Sequence, residues 1–136
     1  MTNTFIETER LVLRPFKMGD EEAVLRFSSH PEVQRLTGDR LRTTIKEAKD
    51  LITDVWLKDY DKYGYGRLAV IDKASQELIG FNGIKYHPHM KETDLGYRFL
   101  PKFLGKGIAT ESSKAIIAHA FENFSLTKIL GFTMLE

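Results

Sequence analysis

The 136-residue sequence contains no cysteine. That excludes disulfides, thiolate metal sites and a cysteine acyl-enzyme. A long apolar run is also missing. Residues Met1 to Arg14 mix charged and apolar side chains, so the N-terminal stretch reads neither as a signal peptide nor as a membrane span. No sign of charge dominates: 20 Lys and Arg stand against 19 Asp and Glu, a formal net charge of +1. Such a balance offers no basic stripe for nucleic acid and no pull toward a membrane. Repeats, low-complexity tracts and long linkers are absent too. What remains is 42% apolar and 29% charged, a composition suited to one soluble domain over residues 1–136, with the cytoplasm as the expected compartment.

The elements follow from periodicity and turn chemistry. Arg10-Leu11-Val12-Leu13-Arg14, closed by Pro15, reads as a first strand. Asp20 offers an N-cap to a helix with Glu21 and Glu22 in its first turn and Ala23, Val24 and Phe27 on its buried stripe. Pro31 is placed to open another short helix, which Thr37-Gly38 would end. Thr44 and Glu47 have capping-box spacing, and Ile45, Ala48, Leu51, Ile52, Val55, Trp56 and Tyr60 recur at helical intervals up to Gly64. Strands follow at Leu68 to Ile71, Glu77 to Tyr86 and Thr93 to Leu100. Their short loops favour an antiparallel meander. A helix begins after Gly107, and residues Lys128 to Thr133 form a last strand. The fold class is therefore α/β (α+β), with a mixed, mainly antiparallel sheet flanked by helices.

The informative segment runs from Leu95 to Glu111 and includes Leu104-Gly105-Lys106-Gly107-Ile108-Ala109-Thr110. A strand ends at Pro101, a short loop turns, and two glycines open a helix. Glycine lets the backbone turn tightly and brings N–H groups close to an anion. The first helical turn leaves its amides unpaired at the positive end of the dipole. Together these suit a phosphate or pyrophosphate, with the Lys106 charge at the rim. Glycines between a strand and a helix also serve purely structural ends, so the pattern alone leaves both readings open. A P-loop is excluded, because no Gly-Lys is followed by Ser or Thr. A Rossmann turn is excluded by the antiparallel strands and the missing third glycine.

This segment resembles motif A of the GNAT acetyltransferases, with Leu104 where Arg or Gln is usual. An apolar residue there is similar to the RimJ/RimL branch, which acetylates ribosomal-protein N-termini. Thr8 to Pro15, Ile79 to Ile84 and Asp94-Leu95-Gly96-Tyr97 match the same branch in order. The resemblance implies acetyl-CoA as co-substrate, with amides from Gly105 through Lys106, Gly107, Ile108 and Ala109 to Thr110 on the pyrophosphate. The pantetheine arm would lie along the backbone of Tyr97 and Phe99, whose side chains equally suit the core. The implied activity is acetyl transfer to a primary amine of a small molecule or peptide, with a non-catalytic acyl-CoA-binding module as the alternative.

Such a transfer needs a neutral amine, alignment and a polarised carbonyl. Asp94 matches the family's acidic strand position and is the candidate base. Its aspartate is shorter than the usual glutamate, which suggests a water relay; the competing reading is a solvated strand residue. No Gly-x-Ser-x-Gly elbow is present. His87 and His89 lack a third ligand, so no metal is expected, and His119 reads as packing or surface. In the resembled family further strands and a hydroxyl general acid follow the Lys128–Thr133 strand. The chain is thus expected to be truncated, weakly active and prone to pair as a homodimer through an open edge.

Overall fold

In a computed structural model, residues 5–30, 42–124 and 126–131 are described. The short helix expected between Pro31 and Gly38, and the final strand beyond Gly131, lie outside them. Six strands form one sheet in sequential order: β1 (Ile6–Glu7), β2 (Leu11–Pro15), β3 (Arg67–Asp72), β4 (Glu77–His87), β5 (Glu92–Phe99) and β6 (Leu130–Gly131). Each neighbouring pair is antiparallel except β5 and β6, which run parallel. Short turns join β1 to β2, β3 to β4 and β4 to β5, since two antiparallel strands need only a tight connection, whereas the segment carrying the helices between residues 16 and 66 joins β2 to β3. The parallel pair is joined by the helix α3 (Ile108–Asn123). A bulge between Val70 and Ile71 of β3 leaves Ile79 of β4 without a register partner on β3, and Ile79 is fully buried.

One face of the sheet carries α1 (Glu21–Ser28) and α2, which spans residues 45–63. The Phe16 and Trp56 rings stack at 3.9 Å, and Phe27 and Trp56 both meet Phe81 edge-on. Helix α2 opens with a variant of the expected capping box, in which the return bond comes from the residue before the Thr44 N-cap. The Thr44 hydroxyl accepts from the Glu47 amide at 3.1 Å, and the Glu47 carboxylate accepts from the Thr43 amide at 3.2 Å. It ends at Gly64 in a left-handed turn, φ +80.

Two local expectations change. Asp20 does not cap α1 with its side chain. Its carboxylate instead takes both Arg14 guanidinium nitrogens, at 2.9 and 3.0 Å, and the Lys17 amide. A charge-assisted bidentate pair outweighs a single cap bond. Helix α2 is also not α-helical throughout: Ile52–Trp56 forms a π turn between the α segments Ile45–Leu51 and Leu57–Tyr63. Ile52, Trp56 and Tyr60, spaced by four, are all buried. A regular α-helix would drift by about 40° at each such step, and the wider π turn absorbs that drift. Tyr60 then reaches the sheet, where its hydroxyl accepts from the Phe16 amide at 3.0 Å and donates to the Arg67 carbonyl.

Candidate cofactor and catalytic site

After β5, a 3-10 turn at Pro101–Phe103 leads into the glycine loop. Gly105 and Gly107 both adopt left-handed conformations, φ +74 and +78, which strain any L side chain. A Cβ at Gly105 would meet nothing within 4 Å, and one at Gly107 only the Arg10 guanidinium at 3.5 Å. The glycines are thus needed for the path of the backbone, and the loop surface stands open. The first bond of α3 runs from the Glu111 amide to the Gly107 carbonyl at 2.9 Å. The amides of Ile108, Ala109 and Thr110 precede it, and Gly107 has no side chain to cap them. Ile108 is buried as the anchor of this turn, Ala109 is half-buried and Thr110 exposed. Lys106 extends its ammonium over the Phe103 ring at 5.8 Å.

Helix α3 is fixed on the other face of the sheet. Asn82, fully buried on β4, donates to the Ser112 hydroxyl at 2.8 Å and the Ser113 hydroxyl at 3.0 Å. An apolar cleft lined by Tyr65, Leu68, Ile84, Ile116, His119 and Phe124 lies at the far end of α3 from the glycine loop.

Strand β5 runs into that loop. The Leu100 amide donates to the Ile79 carbonyl at 2.9 Å. Backbone groups alternate in direction along a strand. Arg98, Gly96 and Asp94 therefore address β4, and Phe99, Tyr97 and Leu95 address the opposite edge. Among the described residues strand β6 pairs with it at Asp94 and Leu95. Among the described residues no strand pairs with that edge at Tyr97 and Phe99. Their rings are 5.8 Å apart, with Tyr97 exposed and Phe99 buried.

Asp94 points to the face carrying α1 and α2, and it is buried rather than solvated. Its Oδ1 lies 3.1 Å from Arg67 Nη1 and 3.1 Å from His87 Nε2. Arg67 also donates to the Gly83 carbonyl at 2.7 Å. Burial lowers the Arg67 pKa, and the adjacent Asp94 carboxylate opposes that shift. A Cβ at Gly96 would sit 2.8 Å from the guanidinium, so the space for Arg67 depends on that glycine. Nearby, Lys85 pairs with Asp59 of α2 at 2.7 Å. Arg67 was not singled out from the sequence, since its place beside Asp94 is set by register across β4. Among the described residues no group of three or more His, Asp or Glu could hold a metal, and no helix is long and apolar enough to cross a membrane.

The Acetyltransferase (GNAT) domain model matches residues 10–136. The chain belongs to the GNAT acetyltransferase family. This GNAT chain is 28% identical over 124 residues to the uncharacterized N-acetyltransferase p20 of Bacillus licheniformis, covering 90% of the chain and 68% of that protein. It is 27% identical over 137 residues to FsC-acetyl coenzyme A-N(2)-transacetylase of Aspergillus fumigatus, covering 95% of the chain and 57% of the relative. Among solved structures, an acetyltransferase from Agrobacterium tumefaciens superposes with a TM-score of 0.83 at 25% identity, covering all of this chain and 77% of the other. The ribosomal-protein-S5-alanine acetyltransferase of Vibrio fischeri shares the fold, with a TM-score of 0.77 at 18% identity over 94% of this chain and 73% of its own. The mixed, mainly antiparallel sheet read from the sequence is the sheet of these GNAT neighbours.

Proposed function

We propose that this GNAT domain transfers an acetyl group from acetyl-CoA directly to a primary amine in a ternary complex. The observation that carries the reading is the pairing of two features on one side of the molecule. Among the described residues no side chain caps the first-turn amides of α3 after two left-handed glycines, and no strand pairs with the β5 edge that runs into that loop at Tyr97 and Phe99. The first suits a pyrophosphate. The second suits the amide-bearing pantetheine arm, taken as an added strand. A relative named for acetyl coenzyme A supports the donor.

Acetyl-CoA would supply the acetyl group as a thioester. The chain's own residues hold and orient it, and the Tyr97 amide on the outer edge of β5 can donate to the developing oxyanion. Asp94, on the opposite face beside α2, is assigned as the acceptor of the amine proton, directly or through water. The amine nitrogen bonds to the acetyl carbon as the carbon–sulfur bond breaks, and the thiolate leaves with a proton from solvent. A protein N-terminus is the acceptor class proposed first, by analogy with the ribosomal-protein acetyltransferases that share the fold.

A thiol-release assay over N-terminal peptides, polyamines and amino sugars tests the assignment. Acetylated peptide is the expected product. Asp94→Asn should slow transfer most at low pH, where more of the acceptor amine is protonated. Identical pH–rate profiles for wild type and variant would remove Asp94 from the mechanism, and no coenzyme A release with any amine would sink the activity.

A further inference from the structure

The stretch Thr8 to Arg10 lies about a hundred residues from the glycine loop in sequence yet is bonded to it at several points. We infer that Arg10, held by Glu111 and assisted by Thr8, is a positioning residue that sets the conformation of the pyrophosphate-binding loop. The inference rests on the cofactor reading above.

The contacts form a closed set. Arg10 Nε donates to Glu111 Oε1 at 2.7 Å, and the Arg10 amide donates to Oε2 at 3.0 Å. The Thr8 hydroxyl donates to the same Oε2 at 2.5 Å and accepts from the Leu11 amide at 3.1 Å. Arg10 Nη1 continues past Glu111 to the Lys106 carbonyl at 2.8 Å, and its Nη2 lies beside Gly107. One guanidinium therefore bridges the first turn of α3 and the peptide between the two left-handed glycines. Only a planar fork with several donors in fixed directions can do this. Drawing the Lys106 carbonyl toward Arg10 turns the following amide, that of Gly107, the opposite way, because the two groups of one peptide plane point apart.

Magnitude separates this role from simple stabilisation. The Arg10 side chain is 42% exposed, and exposed ion pairs contribute little to folding. What the contacts can do is restrict two glycines that otherwise have many conformations open to them. A loop ordered before binding loses less entropy on taking its ligand. The benefit should therefore appear in affinity for the phosphate-bearing part of the cofactor rather than in the melting point.

Arg10→Gln and Arg10→Lys, titrated calorimetrically with coenzyme A, test the inference. Pantetheine, which lacks phosphates, is measured beside it by competition with coenzyme A. The Kd for coenzyme A is expected to rise about tenfold in both variants, as for a lost charge-assisted contact. The ratio of coenzyme A to pantetheine affinity should fall with it, and the melting point should stay close to wild type. Thr8→Val, which removes one donor to Glu111 and leaves Arg10 in place, should shift the ratio the same way by less; it decides if neither Arg10 variant folds. An unchanged ratio, or full recovery in Arg10→Lys, would overturn the positioning role, the latter by reducing it to charge alone. Wild-type protein that takes up no coenzyme A would instead remove the cofactor reading, and the inference with it.

Discussion

Arg67 and Asp94 meet 3.1 Å apart with β4 running between their strands, and both side chains are nearly closed to water. Removing the acid alone leaves a buried guanidinium without its carboxylate. Asp94→Asn should therefore cost about 3 kcal/mol in denaturant unfolding. Replacing both, as Arg67→Met with Asp94→Leu, should recover most of that stability and still leave acetyl transfer impaired. Restored turnover in the double variant would confine the pair to folding.

Gly107→Val should abolish coenzyme A binding and leave the far-UV spectrum native. A β-branched residue at φ +78 strains the backbone by about 1–3 kcal/mol, which a folded domain survives. The Cβ would stand on the open surface where the amides of Ile108 to Thr110 face outward. Calorimetry decides: an undiminished affinity would place the pyrophosphate elsewhere.

The Tyr60 hydroxyl joins the Phe16 amide to the Arg67 carbonyl inside the core. Losing it in Tyr60→Phe leaves both groups unsatisfied and should cost about 1–3 kcal/mol. Burial pushes the Tyr60 phenol above its usual range. A raised phenol keeps its proton in the folded state while the unfolded chain releases it, so its contribution is complete below about pH 10 and falls as pH rises beyond. Unfolding curves collected upward from pH 9 should lose stability faster in wild type than in Tyr60→Phe.

What was legible beforehand divides by range. The strands, the capping box at Thr44 and the left-handed turn at Gly64 depend on residues within a few positions of one another, and periodicity or turn chemistry reveals them. The glycine loop is local in the same sense, since Gly105 and Gly107 are demanded by the backbone itself. The partners of Asp94 were hidden, because strand register and not spacing brings Arg67 and His87 to it. The Arg10 contacts with Glu111 and Lys106 are hidden for the same reason. At Asp20 the sequence offered a cap, and a nearer cation took the carboxylate.

Glu111 carries the acid-side dependence. Burial raises its pKa, but the bonds from Thr8 and from the Arg10 amide and guanidinium outweigh it and hold the carboxyl below its usual value. A depressed carboxylate contributes fully above the unfolded value of about 4.3 and loses that contribution as pH falls through the folded value. Coenzyme A affinity, followed from pH 7 down to pH 4, should fall more steeply in wild type than in Glu111→Gln. Parallel curves would detach Glu111 from the loop.

Helix α3 meets β4 through hydroxyls as well as hydrocarbon, with Asn82 gripping Ser112 and Ser113. Apolar packing alone lets a helix roll or slip by small amounts, because every angle offers similar contact. Two directed bonds from one amide group permit a single roll angle and a single height. The first turn of α3 is one turn away from that grip, so its outward amides inherit a fixed bearing from the centre of the sheet.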